Sequence, residues 1–156
     1  MVLKNNAGLT AAERVALARM PQRPGVEEYV DALFENVFEQ RGDRTASDDQ
    51  AIMCAIATFH GRPVTVVGHR KGSTIEQRMA FNFGMPSPEG YRKAQRSMRA
   101  AEKFGRPIIT FVDTPGAYPG LEAEEHGQGE AIARSIELMS ALKVPVICVI
   151  CGEGGS

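Results

Sequence analysis

Between Val26 and Phe38 the apolar residues Val26, Val30, Leu33, Phe34, Val37 and Phe38 recur at i, i+4, i+7, i+8, i+11 and i+12. This is the stripe of an amphipathic helix, one that packs on whatever sheet follows. A shorter helix precedes it, opened by the capping box Thr10-Ala11-Ala12-Glu13 and running to about Arg19, before Pro21 and Pro24 break the chain. Two apolar runs come next, Ala51 to Phe59 and Pro63 to Gly68, separated by His60-Gly61-Arg62; they predict a strand hairpin. Ser87-Pro88-Glu89 supplies an N-cap, a proline at the first helical position and an acid in the first turn. The helix it starts carries Tyr91, Ala94, Met98 and Ala101 on its apolar face and closes at Gly105 and Pro107.

The second half alternates. Ile108 to Val112 is a buried strand by length and β-rich content, a long helix spans about Ala123 to Leu142, Pro145 stops it, and Val146 to Ile150 is another apolar strand. Nearly continuous apolar strands separated by helices indicate a parallel α/β layer with right-handed crossovers. The expected division is an N-terminal helical segment, 1–45, and an α/β part, 46–156. Since the chain stops at Gly152-Glu153-Gly154-Gly155-Ser156, directly after a strand, a fragment of a longer domain is expected.

Composition narrows the function classes. With 156 residues, 43% apolar and 24% charged, the chain is long enough for one cored domain. The balance of 18 basic and 19 acidic residues, net −1, gives no global field for nucleic acid or an anionic membrane. The N-terminal stretch lacks the order of a signal peptide, and no apolar run approaches the roughly 18 residues of a membrane span, so a cytoplasmic protein is expected. Cys54, Cys148 and Cys151 lie in apolar segments and predict reduced thiols. Cys148 and Cys151 form C-x-x-C, but residues three apart on a strand point to opposite faces, so no shared metal is expected.

Candidate chemistry sits in FVDTPGAYPG, Phe111 to Gly120, a turn with two prolines and two glycines and no nucleophile. In parallel α/β layers ligands bind beyond the carboxyl ends of strands, where both this turn and GEGGS fall. Glycine lets a backbone N–H approach a ligand and proline stiffens the turn, which suits an oxyanion hole, although Pro-Gly pairs also make plain turns. The phosphate loop G-x-x-x-x-G-K-[ST] is absent, and Gly152-Glu153-Gly154 begins but does not complete a dinucleotide fingerprint. His69-Arg70-Lys71-Gly72 is a basic stretch after a strand, suited either to a phosphate or to a solvated surface; Arg78, Arg92 and Lys93 carry the same two readings. Glu122, Glu124 and Glu125 fit a helix first turn.

The segments NFGMPSPEGYRKA, DTPGAYPG and GEGGS, in this order, resemble the α subunits of bacterial acetyl-CoA carboxylase carboxyltransferases, and the likeness extends back through RGDR and the N-terminal helices. The resemblance implies an α/β crotonase-like (ClpP/crotonase) fold, here incomplete, preceded by N-terminal helices. It implies transfer of a carboxyl group from carboxybiotin, carried on the biotin carboxyl carrier protein, to acetyl-CoA, giving malonyl-CoA for fatty acid biosynthesis. By resemblance, the N–H groups of Gly116 and Ala117 form the hole for the biotin ureido oxygen, and Arg70, Lys71, Tyr118, Gly154 and Gly155 are substrate-binding candidates. Partners implied are a zinc-bearing β subunit in an α2β2 assembly, the carrier protein, and a biotin carboxylase that uses the ATP; no metal is expected in this chain. His126 stands where the family more often has arginine. Two alternatives remain: a truncated chain that keeps only partner binding, and another crotonase-fold acyl-CoA hydratase or isomerase, which would need a positioned acid–base side chain.

Overall fold

A computed structural model describes residues 8–155. Helix α1, Ala11–Ala18, begins at the predicted capping box, with Thr10 Oγ1 accepting from Glu13 N and the Glu13 carboxylate accepting from Thr10 N. Helix α2, Val26–Leu33, follows, and the periodic stripe then misleads: the helix ends at Leu33 and Glu35–Glu39 is strand β1. Phe34 turns extended and buries itself against Phe59 and Phe111, whereas Val37 and Phe38 are exposed. The open edge of β2 (Ile52–Phe59) attracts the chain instead, pairing antiparallel at Phe38↔Ile56 and Glu39↔Ala55. Asn36, at φ 52°, accommodates the register shift between Glu35 and Phe38, a conformation asparagine tolerates well.

Strands β2 and β3 (Arg62–His69) form the predicted hairpin across His60-Gly61, both at positive φ as a tight primed turn requires. Strand β3 then pairs parallel with β4 (Ile108–Thr114), and β4 parallel with β5 (Val146–Gly154), giving one sheet in the order β1-β2-β3-β4-β5. The parallel half and the β2–β3 hairpin are thus as expected, and β1 is the one unpredicted strand, added at the antiparallel edge. Cys148 is exposed and Cys151 buried, in keeping with opposite strand faces, and all three cysteines are free. Burial pushes the Cys54 thiol up to about 11, which removes its nucleophilic form at neutral pH.

A core of Val26, Val30 and Phe34 from α2 with Val66, Ile109 and Phe111 covers one sheet face. Met98 and Ala101 of α4 (Pro88–Lys103) cover the other with Ile52, Val67 and Ile108. Helix α4 starts at Ser87 with Pro88 in its first turn, as predicted, and Lys103 and Phe104 end it. Its Lys93 is not a surface charge. The residue is 0% exposed, and its Nζ lies 2.6 Å from both Asp48 Oδ1 and the Asp49 carbonyl.

Two helical features differ from the expected pattern. Thr74 and Gln77 make a capping box for α3 (Ile75–Ala80), which leads into a short 3-10 turn at Asn82–Gly84. The long helix predicted from about Ala123 is two helices, α5 (Leu121–Glu125) and α6 (Gln128–Ala141). Gly127 at φ 82° separates them, a left-handed position that a side chain disfavours. Among the described residues no helix is long and apolar enough to cross a membrane.

Candidate active site

Strands β3, β4 and β5 run parallel, so their carboxyl ends bring together Lys71, the Asp113-Thr114-Pro115 corner and the Gly152–Gly155 segment. Lys71 Nζ lies 3.1 Å from Asp113 Oδ1 and 2.7 Å from Glu153 Oε2. Arg19 Nε from the N-terminal segment approaches Glu153 Oε1 at 2.6 Å, and Glu153 N donates to Asp113 Oδ1 at 3.0 Å. Hydrogen bonding from Lys71 holds the Glu153 carboxyl below its usual range; burial opposes the shift and Arg19 adds to it. This network lines a cleft of about 600 Å³ between the α1–α2 connection and the segment after β3.

Arg70 and Lys71 are both paired with carboxylates, and Lys71 keeps part of its side chain exposed. Arg70 Nε contacts Glu27 Oε1 and its NH1 contacts Glu39 Oε1, each at 2.7 Å, and its side chain is only 13% exposed. Hydrogen bonding and charge from Glu39 and Glu27 raise the guanidinium's proton affinity against the burial that lowers it. A phosphate on either cation would have to displace a carboxylate.

The turn after β4 is fastened from several sides. Thr114 Oγ1 donates to the Gly84 carbonyl at 2.6 Å and accepts from Gly116 N at 3.1 Å. Gly155 N donates to the Thr114 carbonyl at 2.8 Å, and Tyr118 N to the Pro86 carbonyl at 3.0 Å. Buried Gln128, at the start of α6, donates from Nε2 to the carbonyls of Pro86, at 3.0 Å, and Tyr118, at 3.1 Å. The kink at Gly127 separates α6 from α5 and leaves Gln128 as its first residue.

The two candidate donors differ. Gly116 is buried at φ 148°, and its N–H is spent on Thr114. The Ala117 N–H has no acceptor among the described residues, and Ala117 is partly open to solvent. The Gly116–Ala117 peptide is therefore a fixed plane whose N–H is uncommitted among the described residues. Neither residue lines the 600 Å³ cleft, which lies by the Lys71 network. Gly154 pairs with Thr114 across β4 and β5.

Gly155 approaches so closely that a Cβ there would overlap the Pro115 carbonyl, and the Tyr118 ring lies where a Cβ on Gly120 would fall. Gly155→Ala is expected to push the turn off its position, lowering the rate at which the site acts by about tenfold or more and lowering the melting temperature as well, because the atoms in the way are Pro115 backbone and a misplacement of about 1 Å is costly in a positioned site. Thermal melting beside a turnover assay checks this; an unchanged rate would show that the turn tolerates displacement.

Asp113, Thr114, Glu153 and Gln128 escape sequence reasoning, because their contacts join β4 to segments 30–42 positions away or to the next helix. His126 caps the end of α5, and its Nδ1 lies 2.8 Å from Glu89 Oε1. Arg92 donates to the His126 carbonyl. Among the described residues no group of three or more His, Cys, Asp or Glu side chains is placed to hold a metal.

The same fold recurs in solved acyl-CoA carboxylase and transcarboxylase structures. The transcarboxylase 12S structure with methylmalonyl-coenzyme A and methylmalonic acid bound superimposes with a TM-score of 0.70 at 21% identity, over 96% of this chain and 28% of that one. A single-chain, multi-domain long-chain acyl-CoA carboxylase gives 0.69 at 23% identity, over 89% and 13% respectively. The fold is accordingly crotonase-like α/β. Residues 3–156 match the profile described as acetyl co-enzyme A carboxylase carboxyltransferase-like, and the chain belongs to that family. It is 57% identical over 150 residues to the acetyl-coenzyme A carboxylase carboxyl transferase subunit alpha of Anoxybacillus flavithermus, covering 96% of this chain and 46% of that protein. The Bacillus subtilis protein of the same name is 56% identical over 144 residues, 92% of this chain and 44% of its own. The chain thus spans about half the length of the curated relatives it matches.

Proposed function

We propose that this chain forms part of the α subunit of a cytoplasmic acetyl-CoA carboxylase carboxyltransferase, which transfers a carboxyl group from biotin on a carrier protein to acetyl-CoA, giving malonyl-CoA for fatty acid synthesis. The observation that carries the reading is the Ala117 N–H, uncommitted and reachable on a turn fixed at the carboxyl end of β4. Such a donor stabilises an oxygen on which negative charge develops, with no reorganisation at the moment of reaction.

Biotin, when bound, supplies the ureido nitrogen that gives up the carboxyl group and the ureido oxygen that takes charge. The fit lies in the donor chemistry: a backbone N–H offers that oxygen a hydrogen bond and no competing nucleophile. Gly116, Ala117 and Tyr118 would hold the biotin head, with Thr114 and Gln128 fastening the turn. Gly116 contributes by fixing the plane of the peptide, its own N–H being held by Thr114. Gly154 and Gly155 form the adjoining wall and leave the turn room. Lys71 and Arg19 together balance Asp113 and Glu153 beside the cleft, and Arg70 braces Glu27 and Glu39; these cations serve the substrate by shaping the wall.

The acyl-CoA is expected to be shared with a zinc-bearing β subunit in an α2β2 assembly, and ATP to be used by a separate biotin carboxylase. The test is to supply the full-length protein with its β subunit and either acetyl-CoA plus carboxylated biocytin or crotonyl-CoA alone. Malonyl-CoA from the first mixture and no hydration or isomerisation in the second is the expected result. Turnover of crotonyl-CoA without malonyl-CoA formation would place the chain among the hydratases and isomerases.

A further inference from the structure

A second cleft, of about 460 Å³, opens between α4 and α6, lined by Arg92, Arg96 and Arg99 of α4, Glu130 and Arg134 of α6, and Asp43, so that four arginines face two carboxylates. Charge pairing accounts for only part of this arginine cluster. Arg134 contacts Glu130 at 3.7 Å and Glu137 at 2.9 Å, while Arg92 lies between Glu89, at 3.6 Å, and Asp43, at 3.9 Å. Arg96 and Arg99 have no carboxylate partner among the described residues. Arg96 donates only to the carbonyls of Arg41 and Gly42, and Arg99 only to Gln95 Oε1 at 3.4 Å.

Three further features define the cleft as a place for an anion. Arg96 and Arg99 are three positions apart on one helix, where like charges repel across neighbouring turns. The Arg96 Nε–H is buried with no acceptor, and Asp43 Oδ2 is buried with no donor, so each of these two lining residues keeps one unsatisfied polar atom. On the wall, Asp43 does not neutralise either residue. Burial alone would raise its pKa, but N–H groups of Thr45, Ala46 and Ser47 and the nearby Arg92 outweigh that and keep it ionised, with its charge directed to the loop and to Arg92.

We infer that this cleft binds a phosphate-bearing small molecule, its phosphoryl oxygens taken by the guanidinium groups of Arg96 and Arg99 with Arg134 at the rim. Guanidinium forks match phosphate oxygens in pairs, and the volume lies in the range of small-molecule sites. The site is separate from the turn that carries the proposed carboxyl transfer, and its occupancy does not depend on that reading.

Inorganic pyrophosphate titrated calorimetrically into the full-length protein at low ionic strength tests it. Saturable binding is expected, weakened about tenfold or more in Arg99→Gln, as loss of a charge-assisted pair predicts. Arg99 is exposed, so this variant should melt at or above the parent's temperature. Arg62→Gln, an exposed arginine on the distant β2–β3 hairpin, is expected to bind as the parent does. Tighter binding of ADP than of pyrophosphate would identify a nucleotide ligand, and equal binding a simple phosphate. Absence of saturable binding, or the same affinity in parent and Arg99→Gln, would overturn the assignment.

Discussion

Replacing Ala117 by proline is expected to lower carboxyl transfer by about 10²–10³-fold, the usual effect of deleting one oxyanion-hole donor. The substitution removes the uncommitted N–H at the carboxyl end of β4 while the anchors of the turn, from Thr114, Gln128 and Gly155, lie on other residues. An interaction made mainly in the transition state affects kcat far more than KM, so acetyl-CoA affinity should change little. Ala117→Ser keeps the N–H and is the control: it should retain most of the parental rate. Steady-state kinetics of both variants beside thermal melting checks the pair. Equal losses in the two would assign the effect to turn geometry and not to the donor.

Lys93→Ala is expected to cause the largest loss of stability, about 3 kcal/mol, toward the low end of the ~3–5 kcal/mol found when one partner of a buried ion pair is removed. The low end applies because the Asp48 side chain is 28% exposed and can recover some hydration. The Asp49 carbonyl loses its ammonium donor as well. The Asp49 carboxyl is already pushed up by burial, against hydrogen bonds from Ala51 and Ser87 N–H groups and the nearby Lys93 charge; removing Lys93 should raise it further. Above the unfolded carboxylate pKa that ionised group is then costlier to keep, so the loss should shrink as pH falls toward the acid range. Denaturant unfolding at neutral and mildly acidic pH measures both effects; a change under about 0.5 kcal/mol, the level of an ordinary surface substitution, would show that the pair adds nothing.

The parallel strands and α4 were legible in the sequence because their signals are local: continuous apolar runs, Ser87-Pro88 at a helix start and Pro145 before a strand. Strand β1 was not, since Val37 and Phe38 continue a helical period by coincidence and only the free edge of β2 decides their conformation. The break at Gly127 was hidden inside a helical pattern whose α6 half needs Gln128 at its start to reach Pro86 and Tyr118. The glycine turn itself was visible as a candidate. Which of its two N–H groups is uncommitted depends on the Thr114 hydroxyl, whose contact with Gly84 comes from 30 positions away. Lys93 admits a ligand contact or a solvated surface in the sequence, and neither is its role, because nothing near it in sequence reveals Asp48 and Asp49 packed against it.

Whether the Ala117 N–H serves biotin-dependent transfer is decided by the reverse reaction: loss of malonyl-CoA catalysed by the full-length protein with its β subunit, followed with and without biocytin. Loss should depend on biocytin and fall with Ala117→Pro. Loss that proceeds equally without biocytin, or that Ala117→Pro leaves unchanged, would rule out the Ala117 N–H as the donor to biotin.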